Sequence, residues 1–420
     1  MTSRRLVRIY YGFTFFFTML FWLPVFYEFQ KRIGLSDSQI FGIQGLYSVL
    51  FVLLEIPTGL FADVLGRRAS ILAGAGTLVV ANLLPVLAPG ASQTAAFALM
   101  LVHFFGVAVA RSFVSGAASA YVYDLLEREG RASTYKEVEG NARAISLAGK
   151  VVFWIGVGAM MEWHLALPYW LTAGSALLAF VVAWMLPAEA PATGHSDSRS
   201  RRFVTELGGA LRVLAVSPFL IWVIVQGLFL FVVGRVVEVN LFQPLLQEKA
   251  VPLAWHGGVL SLMTVFEALC SSQGAQRRLE RFGNLNAVFG TTALLALSIL
   301  PMAFGGMSGV LLGLCVAAIA MGLAYPAQKQ LLNDAIPDSR YRATLNSIES
   351  MFDRTVTALV VTGMGAYLER ARADGSVVLG LRPVSGFLLW NSIATVAGLI
   401  LLGLSLGALP ALRARARVTR

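Results

Sequence analysis

Charge, cysteine and histidine are what this sequence has least of. Only 13% of its 420 residues are Asp, Glu, Lys or Arg, where a soluble domain carries about 25%. Its two cysteines, Cys270 and Cys315, both lie inside apolar runs. They offer no disulfide framework and no Cys-x-x-Cys metal spacing. The four histidines, His103, His164, His195 and His256, are scattered, and no His/Cys/carboxylate cluster has metal-ligand spacing. His256-Gly257-Gly258 has no Gly-x-Ser-x-Gly elbow to go with it and reads as a turn into a helix. The sequence therefore gives no basis for an enzyme, a metal site or a cofactor.

Apolar residues fill the space that charge leaves. Hydrophobic residues make up 57% of the chain and the mean hydropathy is +0.71. A chain of this length and composition has room for roughly a dozen membrane spans of about 20–25 residues. The net charge of +10 would point to nucleic acid only if the basic residues clustered on a soluble face. They punctuate apolar runs instead, as they do in the loops of a membrane protein. The partner implied is the lipid bilayer, with no nucleic acid.

Taken in order, the predicted spans are 9–29, 38–62, 69–87, 94–126, 133–162 and 167–186, then 218–246, 252–275, 285–304, 308–335, 341–368 and 384–406. The first follows Arg4, Arg5 and Arg8; it is too long for a cleaved signal peptide and lacks a small-residue exit. Ser36-Asp37-Ser38 is the polar start of the second. Residues 187–202, rich in Pro, Ala, Ser and Arg, read as a flexible linker, and 205–214 as a short interfacial helix. This divides the chain into 1–186, a linker at 187–215, and 216–420 with a basic tail. Basic residues alternate in density from loop to loop, with Arg67, Arg68, Arg128, Arg131, Arg201, Arg202, Arg277, Arg278 and Arg340 on one side. That side is cytoplasmic by the positive-inside rule, which places both termini there and the protein in the inner (plasma) membrane. The halves also echo each other. Arg131-Ala-Ser-Thr134 with Arg143 matches Arg342-Ala-Thr-Leu345 with Arg354 at the same offset, and Gly158-Ala-Met-Met-Glu162 matches Gly365-Ala-Tyr-Leu-Glu369.

One stretch is more specific. Glu55-Ile-Pro-Thr-Gly59-Leu-Phe-Ala-Asp63-Val-Leu-Gly66-Arg67-Arg68 closes one apolar run and opens the next. Its Gly-x-x-x-Asp-x-x-Gly-Arg-Arg core resembles the loop between the second and third helices of major facilitator superfamily transporters. All five of that pattern's fixed positions are present: Gly59, Asp63, Gly66, Arg67 and Arg68. Residues 277–283, Arg-Arg-Leu-Glu-Arg-Phe-Gly, are a decayed counterpart in the second half. The resemblance implies an all-α membrane protein with twelve helices in two six-helix bundles, moving a small molecule by alternating access. It also implies roles. Gly59 would let its helix approach a neighbour closely. Asp63 would meet the start of the eleventh helix, near Asp338-Ser339-Arg340-Tyr341. Gly66 would permit the tight turn. One of Arg67 and Arg68 would reach an acid at the end of the fourth helix, for which Asp124 is the candidate. Together these residues would form a gate.

Ionisable residues inside spans are costly and usually functional. The acids Glu55, Glu267, Glu349 and Asp353 are candidates to load and release protons. Arg111, Lys150, Arg235, Glu238 and Lys329 are candidates to line a substrate cavity, with Arg235 and Glu238 three apart on one helical face. Gln226, Asn240, Gln243 and Asn333 would add neutral hydrogen bonds. Arg111 resembles the arginine that proton-driven drug exporters carry in this helix, although Arg111-Ser-Phe-Val-Ser-Gly116 has no glutamine and one residue more before the glycine. The expected function is proton-coupled efflux of a small amphiphilic molecule by a monomer. Uptake of a polar nutrient or organic anion, or lipid flipping, are the alternatives on the same fold.

Overall fold

A computed structural model describes residues 3–187, 208–375 and 379–408. Most of the expected linker, with Arg199, Arg201 and Arg202, and the expected basic tail, with Arg413, Arg415, Arg417 and Arg420, lie outside the described residues. The described residues are helices and the turns between them, without a strand longer than an isolated bridge. They fall into two compact units. The first comprises the described residues within Met1–Gly194 together with Pro252–Ser261, and the second those within His195–Val251 and Leu262–Arg420.

The first unit is built from α1 (Ser3–Thr18), α2 (Phe26–Arg32), α3 (Asp37–Leu65), α4 (Arg67–Leu83), α5 (Gln93–Ser115), α6 (Ala117–Arg128), α7 (Tyr135–Trp154), α8 (Val157–Trp163) and α9 (Leu167–Trp184). Three spans expected as single helices are interrupted. The first breaks after Thr18, ahead of a 3₁₀ turn at Leu23–Val25 that contains Pro24, a residue with no N–H to donate. The fourth breaks at Gly116, between α5 and α6. The fifth breaks at Ile155-Gly156, where α7 and α8 meet at a 45° bend. The start of α3 is fixed by a capping box. Ser36 Oγ accepts the Gln39 N–H at 3.3 Å, and Gln39 Oε1 accepts the Ser36 N–H at 3.0 Å.

The second unit contains a helix α10 over 208–215, then α11 (Pro218–Arg235), a π-helical turn (Val236–Leu241), α12 (Phe242–Glu248), the part of α13 (Leu253–Cys270) from Leu262 onward, α14 (Gln273–Leu279), α15 (Asn284–Phe304), α16 (Met307–Ala335), α17 (Arg342–Ala373) and α18 (Pro383–Ala408). Its core includes Leu220, Val223, Leu331, Leu332 and Leu345, with Ala210 of α10 fully buried against it. Two helix ends are closed by neighbouring charges. Glu248 accepts the Val384 and Ser385 N–H groups at 2.8 and 2.9 Å, at the start of α18. Lys249 Nζ donates to the Ala303 and Gly305 carbonyls at 2.9 and 2.8 Å, at the end of α15. An anion at a helix N-terminus and a cation at a C-terminus both oppose the helix dipole.

Among the described residues, ten helical segments are long and apolar enough to cross a membrane, and eleven if the bent α7–α8 pair counts as one. The helix that falls outside this count is α17. It is 32 residues long but carries Glu349, Asp353 and Arg354 in its middle. Length permits it to span; composition alone does not mark it as a span.

The loops that precede α4 and α15 share one backbone conformation. Gly66 has φ 96° and ψ 150°, Gly283 has φ 76° and ψ 147°, and each is followed at once by a helix. This region of backbone space belongs essentially to glycine. The resemblance between residues 59–68 and 277–283 is therefore a matter of shape as well as of charge. Gly59 behaves differently. Among the described residues, a Cβ built there meets nothing within 4 Å, so the expected close approach is not made at Gly59. Its neighbour Thr58 makes the contact, donating to the Ser112 carbonyl at 3.1 Å. We predict that Gly66→Ala costs roughly 1–3 kcal/mol of stability, read as a lowered unfolding midpoint in detergent. Gly59→Ala, helical and unobstructed, should be neutral or slightly stabilising in the same assay.

Candidate functional site

The signature residues sit where α3, α4 and α6 meet in the first unit. Arg67 opens α4; its Nη1 pairs with Asp124 of α6 and donates to the Ala120 carbonyl at 2.8 Å. Arg68 turns the other way. Its Nη2 donates to the Trp184 carbonyl at 2.8 Å, and its guanidinium lies 5.8 Å from the Trp184 ring centroid, at the end of α9. Asp63 and Glu55, both exposed on α3, line a recess of about 410 Å³ together with Thr58, Arg67 and Gly116. In the second unit Asp338 accepts the Arg340 N–H at 3.0 Å and its guanidinium at 2.7 Å. That hydrogen bonding holds the Asp338 carboxyl below the usual carboxylate range and fixes the turn that leads into α17.

A second cavity of the first unit, about 320 Å³, brings Arg111 of α5 and Lys150 of α7 onto one lining. Arg111 Nη1 donates to the Tyr47 hydroxyl at 3.2 Å. The Lys150 ammonium lies 5.9 Å from the Trp154 ring centroid, a cation–π distance. The acid on this lining is Glu139, which the sequence reading did not single out. Its Oε2 accepts the Tyr10 hydroxyl at 2.7 Å, and its Oε1 lies 3.5 Å from the Ser119 hydroxyl. A signal for it was present: Glu139 precedes Lys150 by eleven positions, about three helical turns, which puts both on one face of α7. Phe13, Phe17, Phe51 and Trp154 supply the apolar part of the wall. The site can hold a small molecule with a polar, charge-bearing end and an apolar body.

The second unit pairs its buried acids. Lys329 Nζ of α16 contacts Glu349 Oε2 of α17 at 2.6 Å, and Glu349 is 3% exposed. Arg235 Nη2 of α11 contacts Asp353 Oδ2 at 2.6 Å. Helical spacing placed Arg235 and Glu238 together, but the chain winds as a π turn from Val236 to Leu241. With about five rather than four residues between bonded groups, the regular helical offset does not hold there, and Arg235 pairs with Asp353 of α17. Asn240 closes the widened turn by donating to the Arg235 carbonyl at 3.3 Å. The neutral candidates are engaged within the unit. Gln226 is fully buried and donates to Thr292 Oγ1 at 3.0 Å; Asn333 accepts from Asn346 at 3.0 Å; Gln243 is fully buried on α12. Glu267, on α13, is exposed.

Comparison with known proteins agrees with this architecture. The sequence profile described as Major Facilitator Superfamily matches residues 6–360. No curated protein sequence matches the chain. Among solved structures, the nucleoside transporter NupG superposes with a TM-score of 0.74 at 14% identity, covering 96% of this chain and 98% of that one. A D-xylose-proton symporter gives 0.68 at 14% identity, covering 95% and 96%. A POT family transporter in complex with 5-aminolevulinic acid gives 0.67 at 11% identity, covering 95% and 94%. The fold and its lined cavities are those of a multi-pass membrane transporter. The chain belongs to the Major Facilitator Superfamily.

The paired charges yield a prediction. Lys329→Ala leaves Glu349 buried without its cation and should cost about 3–5 kcal/mol. The double variant Lys329→Met/Glu349→Met should recover most of that loss. Chemical denaturation in detergent reads both, and an additive double variant would show that the pair contributes nothing.

Proposed function

We propose that this transporter moves a small amphiphilic molecule by alternating access, coupled to protons and in the outward direction. The observation that carries the reading is the first-unit cavity, where Arg111, Lys150 and Glu139 share a lining with Phe13, Phe51 and Trp154. Such a lining suits a ligand that is apolar over most of its surface and charged or polar at one end. In this reading the signature loop is a gate: the Arg67–Asp124 pair and Asp63 change partners when access switches sides. The chain works as a monomer of twelve spans in two six-helix bundles, with both termini on the cytoplasmic side of the inner membrane. A second reading, uptake of a polar nutrient or organic anion, is favoured by the solved relatives named as a nucleoside transporter and a D-xylose-proton symporter.

The test is thermal stability of the purified protein against a panel of lipophilic cations, antibiotics, organic anions, sugars, nucleosides and lysolipids. A true ligand at about 100 times its dissociation constant adds about 2.7 kcal/mol to the folded state. We predict stabilisation by an amphiphile, abolished in Arg111→Ala and in Lys150→Ala. Stabilisation by a sugar or nucleoside alone, indifferent to both substitutions, would overturn the assignment.

A further inference from the structure

In the second unit, Arg235 is paired with Asp353 and Lys329 with Glu349. Glu238 stands apart from this arrangement. It lies in the π turn between α11 and α12, and its Oε1 is buried without a hydrogen-bond partner. The elements packed against that turn are α11, α12, α16 and α17. Their cations near mid-helix are Arg235 and Lys329, each already matched, and Arg354, which has contacts of its own. Glu248 caps α18, while Asp334, Arg342, Glu369, Arg370 and Arg372 lie at helix ends. Glu267 of α13, a like charge, is exposed.

A carboxylate oxygen buried with no donor is the situation in which the ionised form is least supported. A π turn adds to the case, because such insertions are costly and recur at functional positions. We infer that Glu238 is the proton-carrying acid of this transporter, and that Glu349 and Asp353 are fixed counter-ions of Lys329 and Arg235. The inference rests on the proton coupling proposed above and moves it from the paired acids to Glu238, whose buried oxygen has no donor among the described residues. Loading Glu238 forms one O–H bond at its carboxylate. Release returns the proton to water when the turn is hydrated.

The experiment reads the proton itself and needs no substrate. Infrared difference spectra of the full-length protein in detergent, between neutral and high pH, report the carbonyl stretch of any protonated carboxylic acid. The expected result is a band at neutral pH that is lost in Glu238→Gln, shifted in Glu238→Asp and unchanged in Glu267→Gln. A band that survives undiminished in folded Glu238→Gln overturns the assignment, as does one that sodium chloride removes at constant pH. Should Glu238→Gln fail to fold, an unshifted band in Glu238→Asp overturns it equally. Loss of the band in Glu238→Gln, found together with transport indifferent to a pH gradient, supports the protonated acid and refutes the coupling instead.

Discussion

A charge removed from water must find a partner or lose its charge, and this constraint shapes the second unit more than any other. Lipid cannot solvate an ion, and a buried ion pair is tolerated only when its geometry is good. Lys329–Glu349 and Arg235–Asp353 meet that condition at 2.6 Å each. Both acids belong to α17, so charge adds to the apolar contacts of Leu345 and Ile348 in tying that helix to α16 and α11. The same acids explain why α17 is 32 residues long yet does not have the composition of a simple span. Its polarity is the cost of carrying the acids that neutralise two other helices.

The first unit answers the constraint differently. Arg111 and Lys150 border a cavity, beside a Tyr10–Glu139 hydrogen bond and an aromatic wall. At the other cluster, Arg67 binds both a carboxylate and a backbone carbonyl of α6, while Arg68 closes the end of α9. Two adjacent arginines thus tie α4 to two separate helices. Gly66 makes this possible, since a turn with φ 96° lets α4 start at Arg67 itself. A residue with a Cβ would have to move the arginine relative to Asp124.

Much of this was legible before any coordinate. Long apolar runs placed most spans, because a membrane demands continuous apolar length. The polar start at Ser36 was written in local spacing, and Asp124 as a partner of the basic pair followed from the family resemblance. The interruptions were not. The breaks at Thr18 to Trp22, Gly116 and Ile155-Gly156 lie beside Pro24, Gly116 and Gly156, residues that break a helix only where packing calls for it, so apolar length alone runs each span on as one helix. The π turn after Arg235 likewise has no hydrophobic signature, so the regular helical spacing of Arg235 and Glu238 did not reveal it. Gly59 carried an expected close contact that Thr58 makes instead, because a glycine records only that space is available. Glu139 was not singled out, although its register with Lys150 places both on one face of α7 and on the cavity lining.

In the function proposed above, a proton gradient drives this transporter. Proteoliposomes enclosing a pH-sensitive dye, given a ligand found to stabilise the protein, test it most directly. The account predicts a pH change inside the vesicles on adding ligand, and ligand movement that stops when an uncoupler collapses the gradient. Ligand movement at the same rate with and without the gradient, and no change in the dye, would contradict it.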